Sequence, residues 1–426
     1  MQRLMTVLMF VAVSGSSCFS PVDVLLGVVD AGQMSPDSGA GGGGGGATGG
    51  GQGGGGALAL SDAGLVTALA HLAPARCGVA RNLGGPCEGD AGMCITLLRS
   101  GLPELSVVTD LEVAPATFVP IGPVTGGFLF AQRDGAASQS TLRYSRLPAP
   151  TRVIQAATDL SVFALADEPS YGLWYIASSQ SSPGVTTNDL MLVADITAGG
   201  TAVIAAPNLA ALPTSNAVAV GSSYFVAFPD GLYSYYAAGG GRLVPLSSVT
   251  GEHETITRIA ADATDIVFLQ CTDFPSRCAL RRHDRGTGVT TTLVRDLEQL
   301  VGSVSTGTSV ALNAGHAYVL GVLHLLRVPR AGGAVEVVYS GEEFPQYTGT
   351  LRGDSLQAID GKLYFGSVCE FDADAPTYGA VELDPVGLTA RWLELDPNYP
   401  FVPYLERGVS ESARAFPTSA GVFVAR

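Results

Sequence analysis

GKLYFGS at residues 361–367 is a tight turn running straight into a short apolar strand, and AVELDPVGLTARWLEL at 380–395 adds a strand, a glycine-bearing turn and another strand. The first element recurs as GGFLFA at 126, GLWYIA at 172, GSSYFVA at 221, TDIVFLQ at 264, GHAYVLG at 315 and AGVFVAR at 420. Aligned on Leu129, Tyr175, Tyr224, Val267, Tyr318, Tyr364 and Phe423, the copies are 46, 49, 43, 51, 46 and 59 residues apart. These strands are apolar at consecutive positions, which is what a strand covered on both faces requires.

The second element recurs as TLRYSRLPAPTRVI at 141, LMLVADITAGGTAVI at 190, LYSYYAAGGGRLVPL at 232, ALRRHDRGTGVTTTLV at 279 and LLRVPRAGGAVEVVY at 325. Five of the six hairpins, counting the one at 380, carry glycine where the chain is expected to turn with positive φ; the first carries Pro148 and Pro150. A seventh hairpin is read in CITLLRSGLPELSVV at 94–108, so that the C-terminal strand ending at Arg426 pairs with the start of the repeat region. Units of 40 to 50 residues suit four-stranded blades, and pairing of head with tail leaves no open edge between first and last blade. The expectation is an all-β, seven-bladed propeller of antiparallel four-stranded blades over residues 93–426, with six or eight blades as the neighbouring solutions.

Before the repeats, Arg3, the apolar-rich run Leu4–Val13 and small residues Ser14–Ser17 have the layout of an export signal, too short to remain as a membrane span. Residues 1–18 are therefore read as a signal ending at Cys18, 19–57 as a tether dominated by the glycine run 40–57, and 58–92 as a short helix from Ser61 to His71 with a cysteine-containing lead-in. A coil of about 40 residues has a root-mean-square span of roughly 35 Å.

The small residues leading into Cys18 resemble the lipobox of bacterial lipoproteins, in which the cysteine is acylated and becomes the mature N-terminus. Gly15 stands where that family prefers leucine, and plain secretion is the alternative. Phe19 in place of an aspartate points, by the same resemblance, to the outer membrane or cell surface; a secreted or periplasmic protein is the fallback. The repeats, best seen in DGKLYFG at 360 and LLRVPRAGGAVEVV at 325, resemble bacterial TolB-like and YWTD-related propellers, although the YWTD tetrad is absent because Phe365 and Gly366 follow Tyr364.

Six cysteines remain after Cys18, and an even number in an exported chain favours disulfides. Cys271 and Cys278 flank TDFPSR between two strands and are expected to pair across a hairpin; Cys77, Cys87, Cys94 and Cys369 allow three pairings. Their spacings of nine and six residues do not suit zinc.

Signals of chemistry are sparse. A net charge of −15 disfavours nucleic acid. The histidines at 71, 253, 283, 316 and 324 are dispersed, and no nucleophile elbow, P-loop or HExxH occurs. Propeller ligands usually meet the loops joining second to third strands and those joining blades; here these loops hold Arg133, Asp134, Asp189, Asp230, Asp273, Arg277, His324 and the set Glu370, Asp372 and Asp374. In an extended chain the last three carboxylates share one face and would suit calcium, against the simpler reading of solvated loop charges; no other cofactor is expected. The cluster Glu252, His253 and Glu254 is read as a solvated connection. The expectation is a non-catalytic envelope lipoprotein that binds a protein or glycan partner. A structural component of an envelope assembly, or a lyase or hydrolase with its site in the central funnel, is the alternative.

Overall fold

A computed structural model describes residues 93–98, 105–111, 118–133, 139–146, 149–236, 241–249, 251, 253–272, 277–301, 308–313, 315–340, 351–370, 377–387, 389–393, 414–418 and 421–425. The chain divides into two units, Met1–Gly53 and Gly54–Arg426, and everything described lies in the second. Within it the structure is nearly all β and every strand pairing is antiparallel, apart from a one-turn helix α1 (Glu298–Val301).

Strands β1 (Met93–Leu98) and β2 (Leu105–Leu111) form the hairpin expected at 94–108. Next comes a seven-stranded sheet of β3 (Phe118–Val124), β4 (Gly127–Arg133), β5 (Gln139–Arg146), β6 (Ala149–Glu168), β7 (Gly172–Ser182), β8 (Val185–Val193) and β9 (Val203–Ala206). The 20-residue β6 explains the number. It pairs with β5 between Ala149 and Thr158 and with β7 from Thr158 to Glu168, so it closes one four-stranded unit, blade 1, and opens blade 2.

Blade 3 is β10 (Ala217–Val220), β11 (Ser223–Phe228), β12 (Gly231–Tyr236) and β13 (Leu243–Ser248). Blade 4 is β14 (Glu254–Ala261), β15 (Asp265–Thr272), β16 (Arg277–Asp284) and β17 (Thr290–Val294). Blade 5 is β18 (Ser309–Asn313), β19 (His316–Leu320), β20 (His324–Pro329) and β21 (Glu336–Ser340). Blade 6 is β22 (Leu351–Ile359), β23 (Lys362–Glu370), β24 (Thr377–Asp384) and β25 (Thr389–Leu393). The last sheet has the order β2-β1-β27-β26, with β26 (Arg414–Thr418) and β27 (Gly421–Ala425). Its centre joins head to tail: Ile95 faces Ala425 and Leu97 faces Phe423.

All seven aligned apolar strands are the second strands of these units, and packing explains their composition. Leu173 and Tyr175 pack with Leu129 and Tyr144 of blade 1, whereas Trp174 and Ile176 of the same strand pack with Tyr224 and Val226 of blade 3. The alternation continues: Ile266 and Phe268 meet Phe225 of blade 3, Val267 and Leu269 meet Val319 of blade 5, and Tyr318 and Leu320 meet Leu363 and Phe365 of blade 6. Because β7, β11, β15 and β19 each serve two cores, neither face of these strands is free to be polar. Polar ties join first strands across blades. The Asn216 side chain donates to Ile259 O and accepts from Ile259 N, both at 2.8 Å, and the Ser309 hydroxyl accepts the Leu356 N–H at 2.9 Å.

The hairpin glycines behave as expected with one correction. Gly199, Gly241, Gly288 and Gly332 have φ of 102°, 68°, 72° and 84°, but Gly387 is not among the positive-φ glycines. At Gly387 a Cβ would stand 2.9 Å from Asp384 Oδ2, the movable tip of a side chain whose Oδ1 accepts the Gly387 N–H. The signal, the tether, the helix Ser61–His71, Cys18, Cys77 and Cys87 lie outside the described residues.

Candidate interaction face

At the sheet ends where second strands turn into third strands, most described polar groups hold their own loops. Asp189 on β8 accepts the Asn208 N–H at 2.8 Å, fixing the connection to blade 3. Asp230 in the β11–β12 turn accepts the Tyr233 hydroxyl, and that bond is the first cause of the raised Tyr233 pKa. Glu254 Oε2 accepts from Gln270 at 2.7 Å and from the Gly251 N–H at 3.2 Å. Its neighbour His253 is exposed in the left-handed region, φ 66°. The backbone carbonyl of His324 accepts the Gly321 N–H, and its side chain is half-buried. Arg277 is exposed at the start of β16.

Cys271 and Cys278 are register partners across β15 and β16 and form a disulfide, as the hairpin reading required. The adjoining connection folds back on this hairpin: Leu297 N–H donates to Cys278 O, and Glu298 of α1 accepts the Cys278 N–H. Val301 continues to blade 5, where a Cβ on Gly321 would fall 2.2 Å from the Val301 Cβ, so only glycine fits. Of the remaining predicted residues, Arg133, Glu370, Cys94 and Cys369 are described in backbone only, and Asp134, Glu252, Asp273, Asp372 and Asp374 lie outside the described residues. Glu370 sits at the end of β23, opposite Thr377. Among the described residues no three His, Cys, Asp or Glu side chains are grouped for a metal, and no helix is long and apolar enough to cross a membrane.

Among the described residues the densest charge cluster lies at the opposite ends of blades 4 and 5, and sequence reasoning passed over it. Asp265, with a side chain only 4% exposed, receives Arg282 Nε at 2.6 Å and Arg330 Nη1 at 3.2 Å. Arg330 also pairs with Asp262, and Arg282 with Asp284 at 3.1 Å. Arg285 donates to Asp262 O and stacks 4.9 Å from the Phe225 ring of blade 3. Burial alone would raise the Asp262 pKa, but the N–H groups of Asp265 and Thr264, the Thr264 hydroxyl and Arg330 outweigh it and hold the carboxyl below its ordinary value. Asp284 is lowered chiefly by the Thr287 N–H. Three carboxylates and three guanidiniums balance, so the cluster acts as a junction of three blades. The available sequence cue was Asp195, Asp284 and Asp384, which recur at the same hairpin position and each accept two following N–H groups.

Neighbouring His283 is buried, with Nδ1 2.9 Å from the Thr290 hydroxyl, and desolvation lowers its pKa. Asp167 of β6 uses Oδ2 to accept both the N–H and hydroxyl of Thr125 in blade 1, at 2.5 and 2.7 Å. Its Oδ1 is buried without a hydrogen-bond partner, and desolvation raises its pKa.

No family model and no curated protein matches the chain. Among solved structures it is similar to a prolyl endopeptidase, at 13% identity and TM-score 0.50, covering 79% of this chain and 50% of that one. The fold is a β-propeller. The chain thus spans half the length of that endopeptidase. Weaker likenesses are to an oligogalacturonate lyase in complex with manganese, at 12% identity and TM-score 0.41 over 65% of this chain and 73% of that one, and to TolB from Acinetobacter baumannii, at 12% identity and TM-score 0.34 over 58% and 65%. At such identities the resemblance is one of fold alone.

Proposed function

We propose that the propeller is a seven-bladed, head-to-tail closed ring that serves as a non-catalytic binding module of the cell envelope, carried by an acylated Cys18 and the tether 19–57. One observation carries the reading: β1 and β27 are adjacent in a single sheet, so both ends of the repeat region are tied into one scaffold. First strands of successive blades are further tied by Asn216 to Ile259 and by Ser309 to Leu356, and charged side chains at both ends brace loops or blades. A braced ring offers preorganised loops, which lowers the ordering cost of binding a macromolecular partner. The partner class is a protein or glycan of the envelope, and the anchor places the protein at the outer membrane or cell surface.

The test is affinity capture from solubilised envelope fractions on the native, immobilised protein, with a heat-unfolded sample as control. Retention of one protein or glycan by the native form, with direct binding to the purified partner, is expected. No specific retention between low and physiological salt overturns the binding role. Acylation is read separately by metabolic labelling with a radioactive fatty acid, which Cys18→Ala must abolish.

A further inference from the structure

First strands of neighbouring units lie side by side: β6 beside β10, β10 beside β14, β14 beside β18, β18 beside β22, and β26 of the last sheet beside β3 of blade 1. In a propeller these are the strands around the central channel. Counting only the half of β6 that belongs to blade 2, they hold three arginines, Arg258 on β14, Arg352 on β22 and Arg414 on β26, and no lysine or histidine.

Strand register puts all three at one level. Arg258 pairs with Leu269, Arg352 with Gly366 and Arg414 with Ala425. Each of those partners lies two residues beyond an aligned position of the repeat, Val267, Tyr364 or Phe423. The same offset in the other units meets Val119, Val162, Ala217 and Ser309. Arginine therefore marks blades 4 and 6 and the last sheet, with Ser309 of blade 5 between the first two, whereas blades 1 to 3 carry aliphatic residues at this level.

Carboxylates do not accompany the arginines. Asp167 and Glu168 pair with Leu173 and Gly172 at the other end of β6, Asp159 is exposed where its halves meet, and Glu254 is held by Gln270 and the Gly251 N–H. Asp354, in the irregular stretch of β22 between Arg352 and Gln357, is one charge against three. Arg258 is half-buried and donates Nη1 to the Thr257 carbonyl at 3.0 Å, without a salt bridge to any described residue.

Three guanidiniums at one level repel one another, and a chain with 38 acidic residues has not matched them there. Arginine forks take carboxylate and phosphate oxygens in pairs, so a multiply charged anion offsets the repulsion. We propose that Arg258, Arg352 and Arg414 form an anion-binding site in the central channel, for a ligand group carrying two or more negative charges on carboxylate or phosphate oxygens. The site rests on the ring reading and sharpens the binding role by naming the group recognised. A net charge of −15 repels such a group over most of the surface, which leaves the channel as its point of entry.

The test is isothermal titration calorimetry on the full chain in neutral detergent, with citrate and separately with inorganic phosphate, at about 20 mM and about 500 mM sodium chloride. One saturable site is expected, weaker at the higher salt, and the bound anion raises the urea midpoint. Tighter citrate binding names a carboxylate ligand, and tighter phosphate binding a phosphorylated one. Arg258→Gln, Arg352→Gln and Arg414→Gln each weaken binding about tenfold through loss of a charge-assisted contact. Arg242→Gln, at an exposed arginine beside the outer strand of blade 3, changes the net charge equally and leaves binding unaltered. Arg258→Lys keeps the charge without the fork and weakens citrate binding in a folded protein. Without anion, the channel variants keep or raise the urea midpoint, because a like charge is gone. No saturable heat with either anion at low salt overturns the site; so does equal weakening by Arg242→Gln, or a lowered anion-free midpoint in all three variants, which makes the arginines structural. The ring is read separately through Leu97→Cys/Phe423→Cys, whose positions are register partners. A mapped disulfide between them without anion binding removes only the site, and no disulfide removes ring and site together.

Discussion

Replacing Arg330 by methionine keeps most of the aliphatic stem and deletes the charge that ties blade 5 to blade 4. The Arg330 side chain is 12% exposed, and it contacts Asp265, which is 4% exposed, and Asp262, which is 37% exposed. Removing one partner of a fully buried pair costs about 3–5 kcal/mol, and an exposed pair is worth under about 1 kcal/mol. Asp265 keeps Arg282 at 2.6 Å, so it is not left alone. Arg330→Met is therefore expected to cost about 2 kcal/mol, between those limits. Asp265→Asn retains the shape and leaves Arg282 with Asp284 and Arg330 with Asp262, for a similar cost. Urea unfolding followed through Trp174 and Trp392 fluorescence gives both values, and the double variant gives the coupling, expected at about 1 kcal/mol or more. Arg327→Met is the comparison. Its pair with Glu336 lies within one blade, 20% and 25% exposed, and should cost less. Additivity of Arg330→Met and Asp265→Asn within about 0.3 kcal/mol refutes the junction.

Four further outcomes are expected. Asp167 has a raised folded pKa, so its protonated form favours folding: that contribution is complete below the unfolded value of 3.8 and is lost as pH rises through the folded value, and Asp167→Asn flattens this part of the urea-midpoint profile. Cys271→Ser/Cys278→Ser opens a loop of sequence separation 7 and costs about 2–3 kcal/mol by urea unfolding under non-reducing conditions. Gly321→Ala drives a Cβ against Val301 and costs about 1–3 kcal/mol by the same measurement, whereas Gly184→Ala meets no atom within 4 Å and loses only what its φ of 81° imposes. Deleting residues 414–426 strips β26 and β27 from the head strand β1 and is expected to broaden urea unfolding and produce aggregates in light scattering, whereas a sharp, monomeric transition contradicts head-to-tail closure.

The repeat was legible because second strands such as β4, β7, β11, β15 and β19 bury consecutive residues, hence both faces. That demand writes a short, unbroken apolar run, FLF, LWYI, YFVAF or IVFL, which stands out from half-exposed strands that alternate. The hairpins were legible through glycine, whereas the aspartates that accept turn N–H groups, Asp195, Asp284 and Asp384, were a cue left unread. Less legible was β6, whose two halves belong to different blades and meet at Asp159, a left-handed residue (φ 49°) inside a continuous strand. Helix α1 also gave little signal, since its form follows from Leu297 and Val301 being buried against blades 4 and 5 rather than from its own four residues. Asp230 was correctly seen as a loop residue, whereas Asp189 lies within β8 and Glu254 opens β14, and the partners of all three, a tyrosine, a backbone N–H and a glutamine, follow from how the chain folds back.

The polar ties between blades show why function was harder to read than fold. Thr125 meets Asp167 across 42 residues, Thr214 meets Ile256 across 42, Asn216 meets Ile259 across 43, Ser309 meets Leu356 across 47 and Asn313 meets Gly361 across 48. These separations match the repeat, because each bond joins one blade to the next at a similar depth. Bonds at the repeat length are structural: they belong to assembly of the ring, and a regular sequence announces them once its period is known. A binding site assembled from several blades has no such obligation, since its residues need converge only at one end and need share no type or spacing. Arg330 and Asp265, 65 residues apart, already depart from the period because they join a hairpin of one blade to a first turn of its neighbour. The residues that distinguish this propeller from a generic one should therefore be sought among side chains that break the repeat.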